Sequence, residues 1–562
     1  MSSIHIISPP FVEPGIPSPD IHRVSSLISD QNVEAHPIDL NVRLFRELLS
    51  DIPEVANLDI FDSCVRRALF VDESNQFEIL GGEQTTESTF IRLKQVLINE
   101  AIPFFSQRGK SPNHSNYVRY TEVLNCFLDY SVKQISPDLS LWLDKLETGV
   151  DITSQEQALK YIRNQNNAIF RLYDKYLIDE IFKIESKSLL IVISNQEQQL
   201  PGMVLAAWLK SRTEKKIIMN GHHLDIIFNL HYPKNIFDIC DEIVAYPIEY
   251  SVSEWLKGDQ HPFVLRKGQN LFPEYKKLPA AEAMNVFRFS DINEYFSPFP
   301  VAGLLTTSRC YWSQCTFCSL SRDSAYGFKQ ISTNTILGQF EYLNNNTPIR
   351  YVQFFDYAMP LKVLRALCNR KLDRISWAGQ LRFENGYLED GFFEKMYSSG
   401  CRALAWGLES GSMTLLKKMN KGGNIRSEDR SEILRRSASS GILNHLFLIV
   451  GHPDESEADF ILTLNFLADN IDYIGSVEVH EFQNVPGTLD SSPNEDDEGA
   501  HSKRYMAWNL DNNIRNKDQS IIVKDRCHFL KETFRPIEKK YCTNDLLSGH
   551  MVFIDVLRRN RN

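Results

Sequence analysis

No stretch of this chain stays apolar for the 18 or more residues that a membrane span requires. Its strongest apolar runs, residues 189–193 and 446–450, have the length of buried strands. The opening, MSSIHIISPPF, lacks the basic flank and apolar core of a secretory signal, so a cytoplasmic location without membrane contact is the expectation. Cysteine is sparse: ten in 562 residues are too few for a disulfide scaffold. Basic side chains are outnumbered, 61 against 72 acidic ones, for a net charge of −11. The general positive field of a phosphate-backbone binder is therefore missing, which argues against nucleic acid as a partner. There is no internal repeat, and compositional bias is confined to residues 487–518, rich in Asp, Asn, Ser and Glu, which read as a flexible loop.

What is present can form a sizeable core: 43% of the residues are hydrophobic and 24% charged. At roughly 150 residues per domain the length suggests about three or four domains. The first elements read as a strand (4–7), a proline-broken loop through Pro9, Pro10, Pro14, Pro17 and Pro19, a helix (20–29) and a second extended stretch (35–40), the opening of an α/β domain. Residues 42–186 differ. Ala158, Leu159, Ile162, Ile169, Leu172, Tyr173 and Ile181 recur at helical spacing, and Thr153-Ser154-Gln155-Glu156 has the form of a capping box, so this stretch reads as a helical insertion. The strand and helix pattern resumes with a strand at 189–194, a helix at 201–212 and strands at 216–219 and 241–246.

The expected fold is thus α/β. A Rossmann-like parallel sheet occupies residues 1–260 with the insertion at about 42–186, a proline-rich linker follows over 261–300, and a partial β/α barrel spans 301–486. Residues 487–562 hold the loop and a small helical C-terminal region. In the barrel, strands are expected at 301–306, 350–355, 375–380, 402–407, 443–450 and 474–481, with helices at 331–344, 388–399, 412–420, 427–440 and 456–469 between them.

Three of the ten cysteines, Cys310, Cys315 and Cys318, fall within nine residues as C-x4-C-x2-C, on the loop after the first barrel strand. Loops at that end of a parallel barrel carry active sites. Three thiolates on one loop suit an iron–sulfur cluster, whereas a structural zinc site would want a fourth Cys or His at its own spacing. The nearest further cysteine is Cys368, 50 residues on. Three ligands on a four-iron cluster leave one iron open for a reactant. Cys527 and Cys542 stand apart and suggest no second cluster.

These residues resemble the cluster loop of the radical S-adenosylmethionine superfamily, whose more usual spacing is C-x3-C-x2-C. The longer gap with Cys310-Tyr311-Trp312 is similar to a branch with an N-terminal cobalamin-binding-type domain, among them maturases of ribosomal peptides. Trp406-Gly407-Leu408-Glu409-Ser410-Gly411-Ser412 and the following Met419-Asn420-Lys421-Gly422 resemble the superfamily's fourth strand end and helix. Val450-Gly451-His452-Pro453-Asp454-Glu455 resembles the turn after its fifth strand. Asp39-Leu40-Asn41, Ser194 and Asn220-Gly221-His222-His223 resemble that branch's first domain, and the likeness runs to about residue 490. Departures are Arg309 in place of a glycine before the first cysteine and the absence of Gly-Gly-Glu after the second strand.

The resemblance implies that Cys310, Cys315 and Cys318 hold a 4Fe-4S cluster whose open iron chelates S-adenosylmethionine. An electron from a reductant such as flavodoxin or ferredoxin then releases a 5′-deoxyadenosyl radical onto a peptide or small-molecule substrate. Phe317 matches the residue that meets adenine, Glu409 with Ser410 the ribose contacts, Asp356 an acceptor for the ammonium and Arg382 a partner for the carboxylate. Each has a plainer reading: Phe317 as a shield, Glu409 as a charge at a helix N-terminus, Asp356 as a strand-end cap, Arg382 as a surface ion pair. His452 and Glu455 read as turn and capping residues. Cobalamin binding is left open. Asp20-Ile21-His22 occupies the place of the cobalt-ligating D-x-H-x-x-G motif without its glycine, and reads more simply as an N-cap, Asp20, beside an exposed histidine. If cobalamin binds, C-methylation is implied; otherwise another radical rearrangement or crosslink. The competing classes are a non-catalytic metal- or nucleotide-binding protein retaining the fold and a methylthiotransferase-like RNA-modifying enzyme, which would need a basic appendage.

Overall fold

The computed structural model describes residues 3–54, 57–68, 86–106, 114–150, 155–221, 234–244, 252–257, 264–266, 292–307, 310–318, 330–370, 374–421, 425–482 and 517–541. The chain divides into two compact units, one holding the described residues up to Pro300 and the other those from Val301 onward.

The first unit is a six-stranded sheet. Strand β1 (Ser3–Ser8) buries Ile4, Ile6 and Ile7 completely. The prolines after it bar a helix until α1 (Pro19–Ser29), where Pro19 takes the first helical position, whose N–H has no intrahelical partner in any case. Ile21, Val24, Leu27 and Ile28 form the buried stripe of α1. Strand β2 (Glu34–Asp39) pairs parallel with β1, and Asp39 caps α2 (Leu40–Ser50) by accepting from the Asn41 and Val42 amides at 3.0 and 3.4 Å.

Between β2 and β3 (Ser188–Val192) the regular elements among the described residues are helices except for one small hairpin, Ser140–Leu141 against Leu146–Glu147. Its longest helix, α3 (His114–Lys133), packs Phe127 and Tyr130 against Phe61 and Phe90 at 5.7–5.8 Å between ring centroids. The expected capping box at Thr153–Glu156 begins outside the described residues. After β3 come α4 (Gln199–Arg212), β4 (Lys216–Asn220), β5 (Glu242–Val244) and β6 (Val264–Arg266). The order is β2-β1-β3-β4-β5-β6, parallel except for β6. The chain reverses direction across the sheet between β1 and β3, the point at which open α/β sheets bind ligands beyond their carboxyl ends.

Two details differ from expectation. β6 extends the sheet into the segment read as a linker. At α1, Ser18 holds the N-cap position, while Asp20 lies inside the helix and pairs with Arg23 at 2.9 Å. His22 is half-buried in the first turn, not exposed, and burial pushes its pKa down to about 4.

The second unit is a six-stranded, wholly parallel sheet in sequential order: β7 (Val301–Leu304), β8 (Tyr351–Phe354), β9 (Ser376–Leu381), β10 (Cys401–Glu409), β11 (Leu443–Val450) and β12 (Ser476–Glu481). β7 and β12 remain its two edges, so the barrel is partial. Helices α5 (Thr333–Asn346), α6 (Leu361–Cys368), α7 (Phe392–Ser398), α8 (Met413–Lys418), α9 (Ser427–Ser439) and α10 (Glu457–Asp469) fill the crossovers. On β11 the period-2 alternation is plain: Asn444, Leu446, Leu448 and Val450 are buried, and Asn444 donates to Leu434 O of α9, while His445, Phe447 and Ile449 are half-buried on the other face. Helix α11 (Lys517–Tyr541) packs along the edge strand β12, burying Val523, Cys527, Leu530 and Phe534 at helical spacing. No described helix is long and apolar enough to cross a membrane.

Candidate functional site at the barrel strand ends

All three clustered cysteines lie on the loop that follows β7. Cys315 is buried, and Cys310 and Cys318 are half-buried. The extra residue of the C-x4-C spacing is absorbed where Ser313 turns to φ +44° and its hydroxyl donates to Cys310 O. The loop is stitched to the end of α8: Thr316 N donates to Met419 O (2.9 Å), Trp312 Nε1 to Asn420 O (2.8 Å) and Asn420 Nδ2 to Gln314 O (3.0 Å). Asn420 makes these contacts from a left-handed turn, φ +49°, a conformation asparagine tolerates better than most residues.

The electrostatics of the loop suit thiolates with help. Burial pushes the Cys315 thiol up to about 12, and Lys421 and Arg382 pull against that shift. Thiolate, not thiol, binds metal. Among the described residues no three His, Cys, Asp or Glu side chains are grouped to hold a single ion. A four-iron cluster makes no such demand, because each thiolate takes its own iron.

The expected cofactor residues ring this loop. Phe317 packs against Leu415, Leu416 and Met419 of α8 and its end. Glu409 ends β10 at a bulge, with φ +60°, and its Oε1 lies 2.8 Å from Lys421 Nζ in a nearly buried pair. Gly407 makes room for that pair: a Cβ there would stand 2.6 Å from Lys421 Nζ and 2.8 Å from Glu409 Oε1. Burial opposes the charge on Lys421, but Glu409 and Cys315 more than offset it, and its pKa rises. Ser410 is fully buried and turned inward, sharing a hydrogen bond with Thr463 Oγ1 (3.0 Å) and accepting from Ser412 N (3.0 Å).

Asp356 is 1% exposed and both its oxygens are engaged: Thr306 donates through N (2.9 Å) and Oγ1 (2.8 Å), Thr307 through Oγ1 (2.7 Å). It fastens the root of the cysteine loop to the end of β8, and burial pushes its pKa to about 6. Arg382 is no surface ion pair. It is 5% exposed, lies 4.0 Å over the Trp312 ring and 5.7 Å over Tyr311, and donates to Lys421 O at 3.0 Å. Its nearest carboxylate, Glu384 at 3.6 Å, also accepts from the Tyr311 hydroxyl. His452 and Glu455 behave as turn residues: Glu455 accepts from Gly451 N (2.7 Å) and His452 Nδ1 from Asp454 N (3.2 Å).

Sequence reasoning missed Lys421, Tyr311, Trp312, Glu384 and the Thr306–Thr307 donors as site residues. Lys421 and Trp312 stand inside recognised motifs, yet a lysine 12 positions after Glu409 carries no spacing signal for an ion pair. Only the return of the chain after α8 brings the two together.

A parallel partial barrel with three cysteines on the loop after its first strand, and buried polar side chains at the following strand ends, defines a Radical SAM fold. Residues 304–467 match the Radical SAM superfamily. Over both units the chain is similar in fold to the radical S-adenosylmethionine methyltransferase TsrM from Kitasatospora setae, in a structure with cobalamin and a 4Fe-4S cluster bound: TM-score 0.50, 13% identity, 87% of this chain and 73% of that one covered. A second TsrM structure, with its tryptophan substrate and an S-adenosylmethionine analogue, gives TM-score 0.50 at 12% identity, covering 87% and 75%. The cobalamin-dependent radical enzyme OxsB with aqua-cobalamin follows at TM-score 0.41 and 14% identity, covering 82% and 62%. Among curated proteins none matches the sequence.

Proposed function

We propose that the chain is a radical S-adenosylmethionine enzyme that modifies a peptide or small natural product. The observation that carries this reading is the cysteine loop itself, fastened at its root by Asp356, on one flank by Arg382 and on the other by the end of α8. Cys310, Cys315 and Cys318 would hold a 4Fe-4S cluster, which with bound S-adenosylmethionine supplies a reductively generated carbon radical. The protein's share is placement and exclusion of water. Lys421 and Arg382 favour the thiolate form of Cys315, and Phe317 with Leu415, Leu416 and Met419 gives the loop an apolar flank. Glu409, at the strand end nearest Lys421, accepts from ribose hydroxyls once its carboxylate is shared between the lysine and the ligand. Asp356 and Ser410 act on the ligand through the loops they hold, because their polar atoms already have partners inside the protein. A flavodoxin or ferredoxin would supply the electron.

In the first unit a corrinoid would be held without a metal ligand from the protein. At the carboxyl ends of β1, β3 and β4, Gly221 has φ +139°, and a Cβ there would stand 2.1 Å from Ile193 O. Ser194 Oγ is buried without a hydrogen-bond partner beside it. His22, inside α1, is not on the loop that follows β1. Cobalamin held without a protein ligand, and methyl transfer to a carbon centre, follow as the favoured chemistry. The test is anaerobic reconstitution followed by iron and sulfide counting and an assay of S-adenosylmethionine cleavage under dithionite. A brown protein that cleaves it supports the reading. A colourless protein with one zinc per chain overturns it.

A further inference from the structure

Arg430, on α9, is 1% exposed, and among the described residues none of its contacts is the carboxylate that usually accompanies a buried guanidinium. Nη1 donates to Ser410 O at 3.1 Å and Nη2 to Gly411 O at 3.4 Å, Met413 Sδ lies 3.1 Å from Nη2, and the Phe466 ring centre is 5.0 Å from the guanidinium carbon. Among the described residues Nε has no hydrogen-bond partner. The other arginines of this helix behave conventionally: Arg435 and Arg436 pair with Glu432 at 2.7 Å. Burying a cation against neutral carbonyls is unfavourable, and burial brings the Arg430 pKa down to about 10. An apolar side chain could fill the same space but would leave both carbonyls without this donor, so filling space does not explain the arginine.

The two carbonyls it holds belong to the turn that ends β10. There Glu409 sits at φ +60°, a strained conformation for a residue with a long side chain. Ser410 N donates to Leu408 O at 2.7 Å, and Gly411 is pressed so close to α10 that a Cβ would meet Leu462 O at 2.5 Å. On the opposite side of the turn, Gly411 N donates to Thr463 Oγ1 at 3.0 Å. Arg430 takes the carbonyls and Thr463 the amide. Strained turns of this kind persist when their surroundings over-determine them, and two helices do so here.

We propose that Arg430 is a positioning residue for the site: by clamping the Ser410 and Gly411 carbonyls it sets the strained turn that aims the Glu409 carboxylate at the vicinal diol of a nucleoside ligand. This rests on the S-adenosylmethionine reading given above. The chemistry recognised is the ribose of the sulfonium nucleoside, and Arg430 acts on it solely through Glu409.

The test uses the reconstituted full chain, with iron per chain measured first and S-adenosylmethionine affinity then measured by equilibrium dialysis. Arg430→Met should keep its iron and bind S-adenosylmethionine about tenfold more weakly, with Arg430→Lys partly restoring affinity. Glu409→Gln should weaken binding at least as much, and the double variant should be no weaker than Glu409→Gln alone, because both changes act on one carboxylate. A folded Arg430→Met with unchanged affinity, or penalties that add fully in the double variant, overturns the proposal while leaving the ribose reading intact. Unchanged affinity in Glu409→Gln overturns both. Should Arg430→Met not fold, Arg430→Lys and Thr463→Val, which releases the same turn from its amide side, carry the same comparison.

Discussion

Both units present the carboxyl ends of parallel strands, yet they equip those ends differently. In the second unit the strand ends carry charge: Asp356 after β8, Arg382 after β9 and Glu409 on β10, each nearly buried and each tied to the cysteine loop or to Lys421. In the first unit the corresponding places hold Ser8, Ser194, Asn220, Gly221 and one carboxylate, Asp39, and the carboxamide of Gln198 joins the ends of β1 and β3, donating to Ser8 Oγ (3.2 Å) and Pro9 O (2.5 Å) and accepting from Ser194 N (3.1 Å). One end is built from charges whose directions are locked, as a site for a charged reactant requires. The other is built mostly from neutral groups, with a glycine that lets the Ile193 backbone come close and a carboxylate turned to a helix cap.

The sharpest way to break the contrast is to remove a thiolate. Alanine at Cys310, Cys315 or Cys318 should abolish bound iron and bring S-adenosylmethionine cleavage to background, measured by iron analysis and product chromatography, while urea denaturation of the first unit stays unchanged. Next in size, Lys421→Met leaves Glu409 buried without its cation and should cost about 3 kcal/mol in the unfolding of the second unit, as breaking a buried pair from one side does. Gly221→Ala places a Cβ against Ile193 O at a positive φ and should destabilise the first unit by about 2 kcal/mol, with any corrinoid binding lost alongside.

The smallest effect is one of pH, and His22 and Asp356 contribute to it with opposite signs. The folded-state pKa of His22 is depressed to about 4 by burial, so between pH 6.5 and 4 the unfolded chain binds the proton first. His22 therefore takes stability from the first unit on acidification through that window, against the opposite contribution of Asp39, whose pKa burial raises to about 6, and His22→Gln should remove the histidine's share. Asp356, raised to about 6, takes up its proton in the folded state before the unfolded one, and so makes the second unit relatively more stable over the same fall in pH. Denaturation midpoints of the two units between pH 4 and 7 measure both.

How far the sequence revealed this arrangement follows from the range of the interactions. Strand–helix alternation is local, and β11 and α9 fall within a residue of where periodicity puts them. The cysteine loop is equally local. What stayed hidden is how loops answer one another across the sheet. Arg382 read as a ligand or a surface charge because nothing in the sequence shows Trp312 lying beneath it, and Asp356 read as either a ligand or a strand-end cap because its three donors stand 49 and 50 positions away. His22 was misplaced for a simpler reason. Pro19 starts α1 two residues earlier than the Asp20 cap implied, with Ser18 as the N-cap.

Mössbauer spectroscopy of the anaerobically reconstituted protein, with and without S-adenosylmethionine, tests the central claim most directly. A four-iron signal in which one iron becomes distinct when S-adenosylmethionine is added is the expected result. A protein that takes up no iron, or a spectrum that S-adenosylmethionine leaves unchanged, would contradict it.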